Sequence, residues 1–149
     1  MKKIAIFILF LLAPLSLVHS QVIQATVGVD GFTCSLCAKG VEEEFMAMDF
    51  VKSVKADLKK ATFTIVFKKD ARIDINMLKD GVTDGGFSVR DILIKAEGTY
   101  ENNHLITGNT PDLILKNLSS EYNNGDKIAI SGIVSLSDNI IKVKQAKKI

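Results

Sequence analysis

The chain of 149 residues has no tryptophan, two prolines, two cysteines and two histidines. Each shortage removes a class of function. Arg72 and Arg90 are the only arginines, and no basic face interleaved with aromatics is present, so no nucleic-acid partner is expected. A closed zinc centre needs four ligands, and past the first twenty residues the chain offers two cysteines and one histidine, His104, far along the chain from both. No catalytic triad, paired-carboxylate site or phosphate-binding loop can be assembled from the motifs, and no enzymatic activity is expected. No internal repeat is evident.

The first twenty residues have the layout of a secretory leader. Lys2 and Lys3 precede an apolar run from Ile4 to Leu12, and Val18-His19-Ser20 offers a cleavage point. The apolar stretch is broken by Pro14 and Ser16 and is short for a membrane span. Cleavage after Ser20 is expected, giving an exported protein, periplasmic or secreted, with no stable span. Without Lys2 and Lys3 the 19 basic residues fall to 17, equal to the 17 acidic ones. Export implies an oxidising compartment, where cysteine pairs serve as staples. A pair three residues apart constrains almost none of the unfolded chain. Chemistry explains Cys34 and Cys37 better than stability does.

Alternation of Ile23, Ala25, Val27 and Val29 predicts a strand over Val22 to Val29. Cys37, Val41, Phe45 and Met48 then recur at helical spacing. Strands are predicted over Val51 to Leu58 and around Phe63, Ile65 and Phe67. Asp74 reads as a helix N-cap, with Ile75, Leu78 and Val82 as the buried stripe and Gly85-Gly86 as the stop. Phe87 to Ala96 reads as a fourth strand. The order βαββαβ is that of a split βαβ, ferredoxin-like α+β sandwich. Its expected core is Ile23, Val27, Val41, Phe45, Phe63, Ile65, Phe67, Leu78 and Val82.

Beyond Glu97 the pattern changes. Asn102-Asn103, residues 108–111 and residues 123–126 carry turn chemistry. Between them lie short apolar pieces at Leu113 to Leu115, Ile128 to Leu136 and Ile140 to Val143, the last two joined as a hairpin by Ser137-Asp138-Asn139. The expected organisation is a leader at 1–20, a domain at 21–96, and a small mostly-β extension at 97–149, barrel-like and packed on the first domain. The lysines Lys142, Lys144, Lys147 and Lys148 read as a solvated strand edge.

Gly31-Phe32-Thr33-Cys34-Ser35-Leu36-Cys37 resembles the Gly-Met-Thr-Cys-X-X-Cys loop of the heavy-metal-associated domain family, which includes copper chaperones, modules of copper-transporting ATPases and the periplasmic mercury-binding protein. Val41-Glu42, Val51-X-X-Val54 and Leu78-X-X-X-Val82-X-X-X-Gly86-Phe87 extend the resemblance over Val22 to Ile94. It implies that Cys34 and Cys37 are the metal ligands, supported by Gly31, Phe32, Thr33, Gly86 and Phe87. Phe32 stands where the family has methionine, and Phe87 where many bacterial members have an aromatic near the metal. The resemblance also implies a monomeric carrier whose partner is a metal-transporting ATPase or another metal-accepting protein.

The residue chemistry agrees. Paired thiolates select soft ions, Cu(I) first, with Hg(II), Ag(I) and Zn(II) as alternatives. Cys37 at the opening of a helix is expected to deprotonate readily. Two other readings compete: a thiol-disulfide redox protein, and a partner-binding module with a degenerate metal site. The first normally carries a tryptophan before the motif and a proline facing it, whereas this chain has no tryptophan and its prolines are Pro14 in the leader and Pro111 in the extension. Met46, Met48 and Met77 read as packing residues, His104 as a loop residue. Glu42-Glu43-Glu44 reads as a solvated helix face, or functionally as an acidic docking patch.

Overall fold

The computed structural model describes residues 20–31, 34–119, 121–135 and 137–149. The expected leader lies outside them, apart from Ser20. The first half contains strand β1 (Gln21–Asp30), helix α1 (Ser35–Met46), β2 (Val51–Asp57), β3 (Thr62–Phe67), helix α2 (Ile75–Thr83) and β4 (Ser88–Glu101). The strands pair antiparallel in the order β2-β3-β1-β4. This is the expected βαββαβ order. The helices bury Ala38, Val41 and Phe45 from α1, and Ile75, Leu78 and Val82 from α2. They pack on the sheet face that presents Ala25, Val27, Phe63, Ile65, Ile92 and Ile94, all essentially inaccessible. Phe45 meets Phe63 edge-on, with ring centroids 5.5 Å apart. Each such side chain contributes about 1.5–3 kcal/mol when fully buried.

The alternation expected at the start of β1 is shifted. A bulge between Val22 and Gln24 in the pairing with β4 turns Val22 inward and Ile23 out of the core. Ile23 instead lines a surface groove with Ala129 and Ala146. The backbone of Val22 is completed by a distant side chain: its N–H donates to Asn109 Oδ1 at 2.9 Å, and Asn109 Nδ2 donates to its carbonyl at 3.2 Å. The carbonyl of Asn109 also accepts from Ile73 N at 2.7 Å. A primary amide has the same donor-acceptor pair as a peptide unit, so Asn109 acts as a one-residue strand beside β1.

The fourth strand is longer than the alternation suggests. It runs on through Ala96 to Glu101 and belongs to two structures at once. One edge pairs with β1 and then with β5 (His104–Ile106), the other with β7 (Lys127–Ser135). β5 pairs with β6 (Leu113–Lys116), β6 runs parallel to β8 (Ile140–Lys148), and β8 returns antiparallel to β7. The ring β4-β5-β6-β8-β7-β4 is closed, a five-stranded Greek-key barrel of the OB type. Leu105, Leu113, Ile128, Ile130 and Ile141 fill it and belong to the same cluster as the core under the helices.

The extension is therefore no appendage packed on a finished domain, because β4 is its first strand. The 96/97 division falls inside that strand. The expected β7–β8 hairpin is present, and β8 continues past Val143 to Lys148. Past Lys142 no pairing of β8 with β6 continues, so Lys144, Lys147 and Lys148 follow a partly open edge.

Candidate metal centre

Cys34 and Cys37 stand at the tip reached by β1 and left by α1. Asp30, the last residue of β1, pairs with Ser88, the first of β4. Gly31 then turns with φ of 91°. Phe32 and Thr33 lie outside the described residues. Cys34 is extended, with φ −120° and ψ 147°, and caps α1. Its Sγ accepts from Cys37 N at 3.0 Å, in the place usually taken by a serine or aspartate oxygen. Its carbonyl accepts the first helical bond, from Ala38 N at 3.2 Å.

Helix α1 thus begins two residues earlier than an opening at Cys37 would require. Cys34 is the cap and Cys37 the third helical residue. The Cys34 sulfur thus meets a free N–H group of this terminus, which favours negative charge. Cys34 is exposed, whereas Cys37 is partly buried against the core. The two form a disulfide, with Cα atoms 5.3 Å apart. The same pair, reduced, offers two soft donors on one exposed turn.

The end of α2 approaches the strand leg of the loop at Gly31. Gly86 N donates to Thr83 O at 2.9 Å and Phe87 N to Val82 O at 3.2 Å. With Gly86 at φ 82°, these bonds form a Schellman closure, which strongly favours glycine at that position. The closure throws Phe87 back toward the cysteine loop. A Cβ built on Gly31 would lie 4.0 Å from Phe87 Cδ1, and one on Gly85 3.4 Å from Phe87 Cδ2. Phe87 packs on the core beside the first leg of the loop. Among the residues expected to support the loop, Gly31, Gly86 and Phe87 do come together there.

Other candidates fall elsewhere. His104 is the first residue of β5 rather than a loop residue, and its Nδ1 lies 2.9 Å from Asn102 O. It is paired with Glu101, at the opposite end of β4 from Ser88. The 14 residues of β4 correspond to roughly 40 Å of strand. His104 therefore cannot join the cysteines as a ligand in one chain. No group of three or more metal-donor side chains occurs among the described residues.

Met48 packs against the core as expected, but Met46 and Met77 are 50% and 43% exposed, so the packing reading fails for them. Glu42 departs from its solvated run: its Oε1 accepts from Ala56 N at 2.9 Å, closing a free position on β2. Asn109 was not legible as a structural residue, since Gly-Asn-Thr-Pro reads only as a turn. The described helices include none long and apolar enough to cross a membrane.

The heavy-metal-associated domain family matches residues 26–88. A probable copper-exporting P-type ATPase of Archaeoglobus fulgidus is 34% identical over 68 residues, which are 46% of this chain and 8% of the ATPase. The copper chaperone CopZ of Staphylococcus aureus is 26% identical over 66 residues, 44% of this chain and 96% of the chaperone. A solved CopZ metallochaperone superposes with a TM-score of 0.42 at 24% identity, over 44% of this chain and 97% of its own. Oxidized MerP from Ralstonia metallidurans CH34 gives 0.41 at 25% identity, over 46% and 97%. The chain thus spans a small fraction of the ATPase and nearly the whole of the chaperone, and it carries a heavy-metal-associated domain in its first half.

Proposed function

We propose that the chain is an exported carrier that binds one Cu(I) ion between Cys34 and Cys37 and passes it to a thiol-bearing acceptor, such as a metal-transporting ATPase. The observation that carries this reading is the placement of its only two cysteines on one exposed turn, with their sulfurs within bonding distance. The copper-handling relatives support the choice of metal. Two thiolates suit a soft ion. Cys34 faces solvent, so an acceptor thiolate can approach the metal from that side while Cys37 remains bound. Transfer then needs no free ion and no chemical step by the carrier.

Loading requires the open dithiol. The S–S bond takes two electrons and two protons from a dithiol reductant, and the two protons leave again as the thiolates bind metal. Metal analysis of protein purified anaerobically from its native compartment tests the reading. Copper at one equivalent is expected, and a metal-free reduced protein that also fails to take up Cu(I) in titration would sink it. The disulfide itself favours a second reading, a thiol-disulfide redox protein. A reduction potential in the range of oxidoreductases, with dithiol exchange on substrate proteins and no copper, would establish that one instead.

A further inference from the structure

Arg90 adds a side-chain tie between the sheet and the strand leg of the cysteine loop, beside the Asp30–Ser88 pairing and the bond from Val29 N to Ala61 O. Between Gly28 and Val29 the β1–β4 register slips, since Gly28 faces Asp91 and Val29 faces Val89, leaving Arg90 as the extra residue of a bulge. A bulge re-aims its side chain. Here it sends Arg90 across β1 at the one position without a side chain. A Cβ on Gly28 would lie 2.8 Å from Arg90 Nη2 and would clash with the carboxylate of Asp91.

Lying over that glycine, the guanidinium reaches two segments. Nη1 donates to Asp30 Oδ1 at 3.2 Å, and Nη2 donates to the carbonyl of Lys60, in the β2–β3 turn, at 3.3 Å. Nε stands 3.9 Å from Asp91 Oδ1. Asp30 is the last residue of β1, and Gly31 and the cysteine turn follow directly. One side chain thereby joins the root of the loop to β4 and to a turn two strands away. The helix leg has its own anchor in the cap at Cys34. The strand leg has its pairing with Ser88 and this clamp.

We propose that Arg90 is a positioning residue for the Cys34–Cys37 site: by fixing Asp30 it sets where Cys34 stands relative to Cys37, and so tunes both metal affinity and the ease of closing the disulfide. The inference rests on the metal-binding reading for the first of these effects, but the second is independent of it. A planar fork is required, because a lysine ammonium is a point charge that can hold Asp30 but cannot also span to Lys60 O.

The test uses the full chain and five proteins: the parent, Arg90→Ala, Arg90→Lys, Asp30→Asn and the Arg90→Ala, Asp30→Asn double variant. Cu(I) affinity is measured by competition with a chelator, and the Cys34–Cys37 disulfide is equilibrated in glutathione buffers without metal. Circular dichroism fixes conditions under which all five are folded. The clamp is solvent-exposed, so the effect is modest: Arg90→Ala is expected to weaken Cu(I) binding about two- to fivefold. It should move the dithiol–disulfide equilibrium by a similar factor. Asp30→Asn should do the same, the double variant should add nothing, and Arg90→Lys should recover part of the loss. Unchanged affinity and unchanged equilibrium in Arg90→Ala would overturn the proposal, as would an effect in Arg90→Ala that Asp30→Asn does not share. If the parent itself takes up no Cu(I), the carrier reading fails, and the disulfide equilibrium still decides the role of Arg90.

Discussion

At its Ser88 end β4 borders a cysteine turn that faces solvent, whereas at its Glu101 end it is enclosed by barrel strands on both edges. The enclosed end is densely bonded. Tyr100 N donates to Asp126 O at 2.8 Å, Gly125 N to Tyr100 O at 2.9 Å, and Asn102 N to Asn124 Oδ1 at 2.8 Å. The rings of Tyr100 and Tyr122 lie 6.4 Å apart above them. At the open end, Cys34 holds one N–H and Arg90 holds Asp30. Local stability in a folded chain is uneven, and segments that must exchange a ligand sit at its lower end. The contrast therefore separates what holds the molecule together from what acts.

The largest expected effect breaks the two ends apart by chemistry. Replacing both Cys34 and Cys37 with serine should abolish tight Cu(I) binding, a loss of orders of magnitude, because a hydroxyl is a hard and poorly ionised donor. The thermal midpoint should hardly move, since the short disulfide loop constrains little. Tight binding retained in that variant would place the metal elsewhere.

Cutting the chain sharpens the comparison next. A fragment of residues 20–101 keeps the four-stranded sheet and both helices but exposes the barrel side of β4 and loses Asn109. It is expected to fold with a clearly lowered midpoint and to bind Cu(I) as the full chain does. A fragment without cooperative unfolding would show that the barrel completes the core and that the two ends cannot be treated separately.

A smaller change is expected from Asn109→Ala in the full chain. It strands the N–H and carbonyl of Val22 in a buried place, at about 1–3 kcal/mol for each unsatisfied group. Denaturant midpoints should fall accordingly, with Cu(I) affinity unchanged. A stability loss below about 0.5 kcal/mol would mean that water replaces the amide there.

The smallest effect concerns acid. Asp126 accepts from the backbone N–H of Asn123 and from Lys148, at 2.8 Å in each case, and these hold its carboxyl below the ordinary value of 3.8. A depressed carboxyl adds stability above its unfolded value, and that stability is lost as pH falls through the folded one. Asp126→Asn should flatten the acid limb of the stability curve below about pH 4 and leave neutral-pH copper binding alone. An acid limb identical to the parent's would assign the loss to other carboxylates.

Much of the first half was legible because its signals are local. Periods of two and 3.6, the Asp74 cap and the Gly85-Gly86 stop place the elements, and the Cys-X-X-Cys loop announces its own chemistry. The misplacement of Ile23 has a non-local cause. The side chain that completes the backbone beside the bulge, Asn109, is 87 positions from Val22, and no pattern within β1 contains it. The barrel was only faintly visible for a related reason. β5 and β6 are three and four residues long, too short to show alternation, and their pairing is decided by closure of the ring. Glu42 and Arg90 look like surface charges in the sequence. Their roles depend on which backbone group stands opposite, a fact of register.

The length of β4 has an evolutionary consequence. Along it Ile92, Ile94 and Ala96 face inward, and Ile94 and Ala96 lie opposite both β1 and β7. A single inserted or deleted residue anywhere between Ile92 and Gly98 would reverse the inward and outward faces of everything beyond it. In a strand serving one sheet, an adjoining loop can absorb such a slip. Here any correction that restores one unit inverts the other, so descendants of this chain should vary freely in their turns while the spacing from Ile92 to Gly98 stays constant.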